Sequence, residues 1–168
     1  MSTMIGGSFY ASSRFTPPTT QLKATNLQRS GNGLSEISRQ VSQLPPEVRN
    51  LISDPQSLLR LGEGFNLTQQ AIEGLREGKR GLSVIKFETA GKKPSFLKVT
   101  DDSGVCYLFP HPRNHRVNSH NRDTFETIFV PTEKGVNNPT QYTLVMPAKL
   151  SDNTLSEQGV IEWESGTN

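Results

Sequence analysis

"SVIKFETAGKKPSFLKVTDDSGVCYLF", residues 83–109, decides the fold. Ile85 and Phe87 alternate with Lys86 and Glu88, and Leu97 and Val99 alternate with Lys98 and Thr100. Successive side chains of a strand point to opposite faces, so this period of two predicts strands with one buried face. Two turn clusters, Gly91-Lys92-Lys93-Pro94 and Asp101-Asp102-Ser103-Gly104, separate the apolar runs. Neither gap is long enough for a helical crossover, so consecutive strands are expected to run antiparallel.

Toward the C-terminus "TFETIFV" (124–130), "QYTLVM" (141–146) and "VIEW" (160–163) extend the count to six strands. Turns are expected at 110–123, from Gly135 to Pro139, and from Ser151 to Gly159. Residues 82–164 therefore read as an all-β domain, a six-strand antiparallel meander closed into a small barrel or sandwich. Closure is favoured because it removes exposed strand edges. Residues 165–168 are left as a tail.

Toward the N-terminus, residues 33–80 read as a helical segment. Leu34, Ile37, Val41 and Leu44 share one helical face, at the a/d spacing of a short coiled coil. Pro45-Pro46 ends that helix and opens a second, since proline is tolerated in a first turn. "SDPQSLLRLGEG" (53–64) predicts a capped short helix stopped by glycine, and Asn66 is read as the cap of the next, ended at Gly78. Helices this short do not hold alone in water and must pack on the following domain or on copies of themselves. Residues 1–32, rich in serine, threonine, glycine and proline, show no period and read as a disordered arm. The class is thus α+β.

Composition agrees with a partly unfolded chain. Hydrophobic residues make up 32%, below the roughly 45–50% of globular chains. The net charge of +2 is bland, but its distribution is not. Arg14, Lys23 and Arg29 precede position 33 with no acid, whereas Asp152, Glu157, Glu162 and Glu164 follow position 150 with no base. Such polarity favours self-association or one basic face. The lone Cys106 excludes an internal disulfide and fits a reducing, cytoplasmic compartment. No apolar run approaches the ~20 residues that span a bilayer, so no membrane partner is expected.

"FPHPRNHRVNSHNR" (109–122) holds all three histidines, His111, His115 and His120, and no acid. Pro110 and Pro112 bracket His111, so no metal-binding helix can run through it. A metal-dependent or Cys/His hydrolase would need Cys106 and Asp123 to join these histidines, yet Cys106 alternates inside a strand and is read as core-facing. Arg113, Arg116 and Arg122, with Lys92 and Lys93 on another turn, would suit a nucleic-acid-binding barrel using basic loops. The aromatics that such a barrel stacks on bases alternate here as buried residues do. No P-loop or paired-carboxylate pattern is present, and "GEG" (62–64) lacks the preceding strand of a dinucleotide fingerprint.

Three runs carry a family resemblance: "YLFPHPR" (107–113), "FETIF" (125–129), and "YTLVMPAKL" (142–150) with "GVIEWE" (159–164). Together they resemble a small β module found near the C-terminal ends of cyanobacterial multidomain proteins, covering residues 82–164. The resemblance implies an accessory β domain and no activity. Trp163 departs from the module's pattern, which places the tryptophan before the last strand.

The sequence therefore predicts a non-enzymatic adaptor or assembly protein that forms a homo-oligomer or binds a protein partner. Leu34, Ile37, Val41 and Leu44 are the expected helical contact, and Arg113, Arg116 and Arg122 the polar one. No catalytic residue, metal ligand or cofactor is assigned.

Overall fold

The computed structural model describes residues 32–113, 117, 118, 120–133 and 141–164, with side chains from residue 35. Residues 1–31 of the expected arm, the turn from Gly135 to Pro139, the 165–168 tail, His115 and Arg116 lie outside the described residues.

Three helices come first, and proline and aspartate set their boundaries. α1 spans Asn32–Ser42, α2 spans Pro46–Ile52, and α3 spans Pro55–Leu61. Pro46 and Pro55 occupy first-turn positions, where a missing N–H costs nothing. Asp54 caps α3 by accepting from the Ser57 N–H at 3.2 Å and the Ser57 hydroxyl at 2.7 Å.

The next stretch corrects the sequence reading. Gly62 ends α3, but Glu63–Leu67 is a strand, β1, paired antiparallel with β2 (Phe87–Thr89) on one side and β3 (Phe96–Thr100) on the other. The glycines serve close approach. A Cβ on Gly62 would meet the Leu97 Cβ at 2.8 Å, and one on Gly64 would meet Pro94 at 2.9 Å. Asn66 is therefore no helix cap; its side-chain oxygen accepts from the Ser95 N–H at 2.7 Å, across the sheet. Thr68 caps the following helix, α4 (Gln69–Arg76), through the Ala71 N–H at 3.1 Å. α4 ends in a Schellman turn. Gly78 takes φ 87, its N–H donates to Leu75 O, and the Lys79 N–H donates to Gly74 O.

β4 (Cys106–Pro110), β7 (Ala148–Ser151) and β8 (Thr154–Glu157) complete a six-stranded antiparallel sheet in the order β2-β1-β3-β4-β7-β8. β8 lies wholly within the turn expected from Ser151 to Gly159, and β7 ends where that turn was to begin. Asp152 and Asn153, at φ 50 and 60, make the two-residue hairpin between them. The sheet curls until its ends meet. Lys86 bridges Thr154, the Leu155 N–H donates to Ile85 O at 2.9 Å, and the Phe87 N–H donates to Asn153 O at 2.8 Å. Ladder groups left over at one edge are thereby paired with the other.

A second, three-stranded sheet has the order β5-β9-β6, with β5 at Phe129–Pro131, β6 at Gln141–Met146 and β9 at Gly159–Glu164. β5 runs parallel to β9, so the strands do not form one continuous antiparallel meander. "TFETIFV" is also reassigned, since Arg122–Ile128 is helix α5 and only its end is strand. Phe125, Ile128 and Phe129 satisfy a helical spacing of three and four, whereas strand alternation puts only Phe125 and Phe129 on one face, and an Arg122–Glu126 ion pair supports the helix.

Two layers of core explain the sequence pattern. Phe65, Ile85, Phe87, Phe96 and Leu108 fill the inside of the curl together with Phe129 and Trp163. Leu97, Tyr107 and Phe109 leave through the outer face and are covered by Leu44, Val48, Leu51 and Leu58 of the helical segment. β3 and β4 are thus buried on both sides, and the short helices find their support on this chain's own sheet. No helix among the described residues is long and apolar enough to cross a membrane.

Candidate functional site

A cleft of about 510 Å³ opens between α4 and α5. Its lining is apolar at the floor, from Leu67, Ile72, Leu75, Phe96, Val117 and Phe125. Arg76, Arg80, His120 and Asp123 also line it, and all four are exposed. Arg76 stands in the last turn of α4, where a cation complements the helix dipole. Arg80 folds back over the same helix end, donating from Nη1 to Leu75 O at 2.8 Å and to Lys79 O at 3.2 Å. The Schellman turn at Gly78 reverses the chain and allows that return.

The opposite wall depends on an asparagine clasp. Asn118 Oδ1 accepts from the His120 N–H at 2.8 Å and the Asn121 N–H at 3.2 Å, while Asn121 Oδ1 accepts from the Asn118 N–H at 2.8 Å. This clasp leads directly into α5 and fixes where His120 stands. Behind the wall, Arg122 pairs with Glu126 at 3.2 Å and lies 5.7 Å from the centre of the Trp163 ring. Trp163 Nε1 donates to Glu126 Oε2 at 3.1 Å. Phe125, Tyr142 and Trp163 pack their rings within 4.8–6.1 Å of one another.

The expected site residues separate. Ile37 is 4% exposed and packs with Val160, Val41 is half-buried beside it, and Leu44 is 6% exposed against the outer sheet face. Leu34 lies in α1, its side chain outside the described residues. Arg113 is exposed, and its N–H donates to His111 Nδ1 at 3.1 Å. Burial first, and the positive charge of Arg113 second, hold His111 below its ordinary value of 6.5. Arg122 is engaged with Glu126 and Trp163, so it braces α5.

Cys106 and His111 sit at opposite ends of β4, roughly 17 Å apart at about 3.3 Å per residue. Cys106 and His111 are therefore too far apart to act together, and His115 lies outside the described residues. The Cys106 thiol instead lies 3.4 Å from the Thr100 hydroxyl. Among the described residues no three His, Cys, Asp or Glu side chains gather as a metal ligand set.

Comparison with known proteins gives no match. No family model, no curated protein and no solved structure aligns with this chain. Functional inference therefore rests on the cleft itself. Sequence reading missed it because its walls come from positions 67–80 and 117–127, which only the fold brings together. The one signal in the sequence that pointed toward it was the acid-free histidine loop at 109–122.

Proposed function

We propose that this chain is a non-enzymatic adaptor or assembly protein that holds a segment of a partner protein in the α4–α5 cleft. The observation that carries this reading is the composition of the cleft, an apolar floor beneath a polar, mainly cationic rim. Apolar centres ringed by polar groups are the usual anatomy of protein–protein contacts, and arginine is enriched in them. The floor supplies desolvation and the rim supplies orientation. The expected α1 stripe is turned inward at Ile37 and Leu44, so the partner surface is assigned to the cleft rather than to that stripe. A reducing compartment such as the cytoplasm suits the unpaired Cys106.

Selection from a displayed library of random peptides, with the full chain as bait, tests the proposal. Enrichment is expected for the native chain and not for Thr124→Trp, which places an indole inside the cleft. Equal enrichment by both, or none by either, overturns the assignment.

A further inference from the structure

We infer that the occupant of the cleft is an acidic peptide segment carrying one or two large apolar side chains. The inference rests on the interaction reading above and specifies its ligand.

The charge around the cleft is one-sided. Two arginines, Arg76 and Arg80, line it against one acid, Asp123. Further cations collect at its Ser95 end. Ser95 follows directly on Lys92-Lys93-Pro94, and its carbonyl accepts from the His111 N–H at 2.9 Å, which brings exposed Arg113 to the same end. The acids on α4 and at its C-cap are already engaged. Glu77 pairs with Lys79 at 3.3 Å, and Glu73 accepts from Gln69 Nε2 at 3.2 Å. Arg80 is held at the rim through Nη1, which donates to the Leu75 and Lys79 carbonyls. An entering chain thus meets arginines on the α4 wall, further cations at the Ser95 end and an apolar trough beneath.

A peptide fits this arrangement better than a nucleic-acid strand. Single-strand binding depends on bases stacking on presented aromatic rings. Among the described residues the exposed large hydrophobics are Leu61 and Val105, neither of them aromatic. Phe96 is 7% exposed and Phe125 is half-buried, so the trough offers edges and aliphatic carbon rather than an open ring face. Isoleucine and leucine side chains line it, matched to aliphatic or aromatic anchors of a peptide. Carboxylates flanking those anchors would reach Arg76 and Arg80, which can grip them bidentately.

The library selection, repeated at low and high salt and followed by titration of the enriched peptides, tests the ligand class. Enriched sequences should carry acids beside their apolar anchors. Arg76→Glu should weaken their binding by about tenfold or more and flatten its salt dependence, since the charge is reversed at an exposed rim position. A consensus with no excess of acid, or unchanged affinity in Arg76→Glu, overturns the acidic preference while leaving a peptide-binding cleft. Absence of any enriched pool overturns the cleft reading itself. Oligothymidine binding more tightly than the selected peptides, with a steeper loss in salt, replaces the peptide with a nucleic acid.

Discussion

The Trp163 indole N–H points at the Glu126 carboxylate, 3.1 Å away, and this bond ties the last strand to α5. Glu126 also holds Arg122, so one carboxylate organises both the tryptophan and the helix that walls the cleft. Glu126→Ala leaves a buried indole donor unpaired, which costs about 1–3 kcal/mol. Urea denaturation followed by the fluorescence of the only tryptophan should show that loss. Glu126→Gln keeps an acceptor oxygen and should recover at least half of it. Equal stability of all three proteins would remove the bond from the account.

Gly159 is irreplaceable for steric reasons. A Cβ there would meet Phe129 Cδ1 at 2.5 Å, Met146 O at 2.7 Å and Ala148 N at 2.8 Å. Two of those atoms are backbone and cannot rotate away. Gly159→Ala should destabilise the fold by about 3 kcal/mol, the upper end of ordinary overpacking, and lower Tm measured by circular dichroism. A variant that melts like the native protein would mean that the β5–β9–β6 junction is looser than described.

The short helices belong to the folded unit. Leu44→Ala empties a site beside Tyr107 and Phe109 and should cost about 2–4 kcal/mol, at any protein concentration. Deletion through residue 44 should lower Tm further, because Ile37 is lost as well. Helices that packed only between copies would instead give a loss that vanishes on dilution. Calorimetry at two concentrations separates the two cases.

Asp101 makes the β3–β4 turn sensitive to acid. Its carboxylate accepts from the Ser103 hydroxyl at 2.7 Å, the Ser103 N–H at 2.9 Å and the Val105 N–H at 2.9 Å. Led by the Ser103 side chain, these bonds hold its pKa below the ordinary 3.8. A carboxylate depressed in the folded state stabilises it fully above about pH 4, its unfolded value, and ceases to do so as pH falls through the folded value. Asp101→Asn should therefore show a flatter fall of Tm below about pH 4 than the native chain. Tyr107 answers at the opposite end of the scale. Burial first, then the Asp101 charge and hydrogen bond, push its hydroxyl to about 12. Ultraviolet difference titration should find that phenol ionising well above the ordinary tyrosine value of 10, and earlier in Asp101→Asn.

The parts of the fold that local chemistry dictates were legible. Ile85 and Phe87 are buried while Lys86 and Glu88 are exposed, as alternation required. Pro46 and Asp54 start helices where capping rules place them. The misread parts share one cause, because their reasons lie across the sheet. Gly62 and Gly64 resemble a helix stop until Leu97 and Pro94 are seen against them. Phe125 and Phe129 fit both periods, and Glu126 decides between them by reaching Trp163. Asp152-Asn153 was a readable hairpin signal absorbed into a longer turn. The cleft was hidden for the same reason, since nothing near Arg76 in sequence announces His120.

The seam where Leu155 meets Ile85 sets the order in which the molecule can be made. These two residues stand roughly seventy positions apart, and contacts so distant form only after much chain entropy has been lost. A ribosome must release residue 155 before the ring can shut. Until then the nascent β1–β4 strands are held open with unpaired rims. Closure of the ring is therefore a late event in synthesis, possible only once residue 155 has emerged.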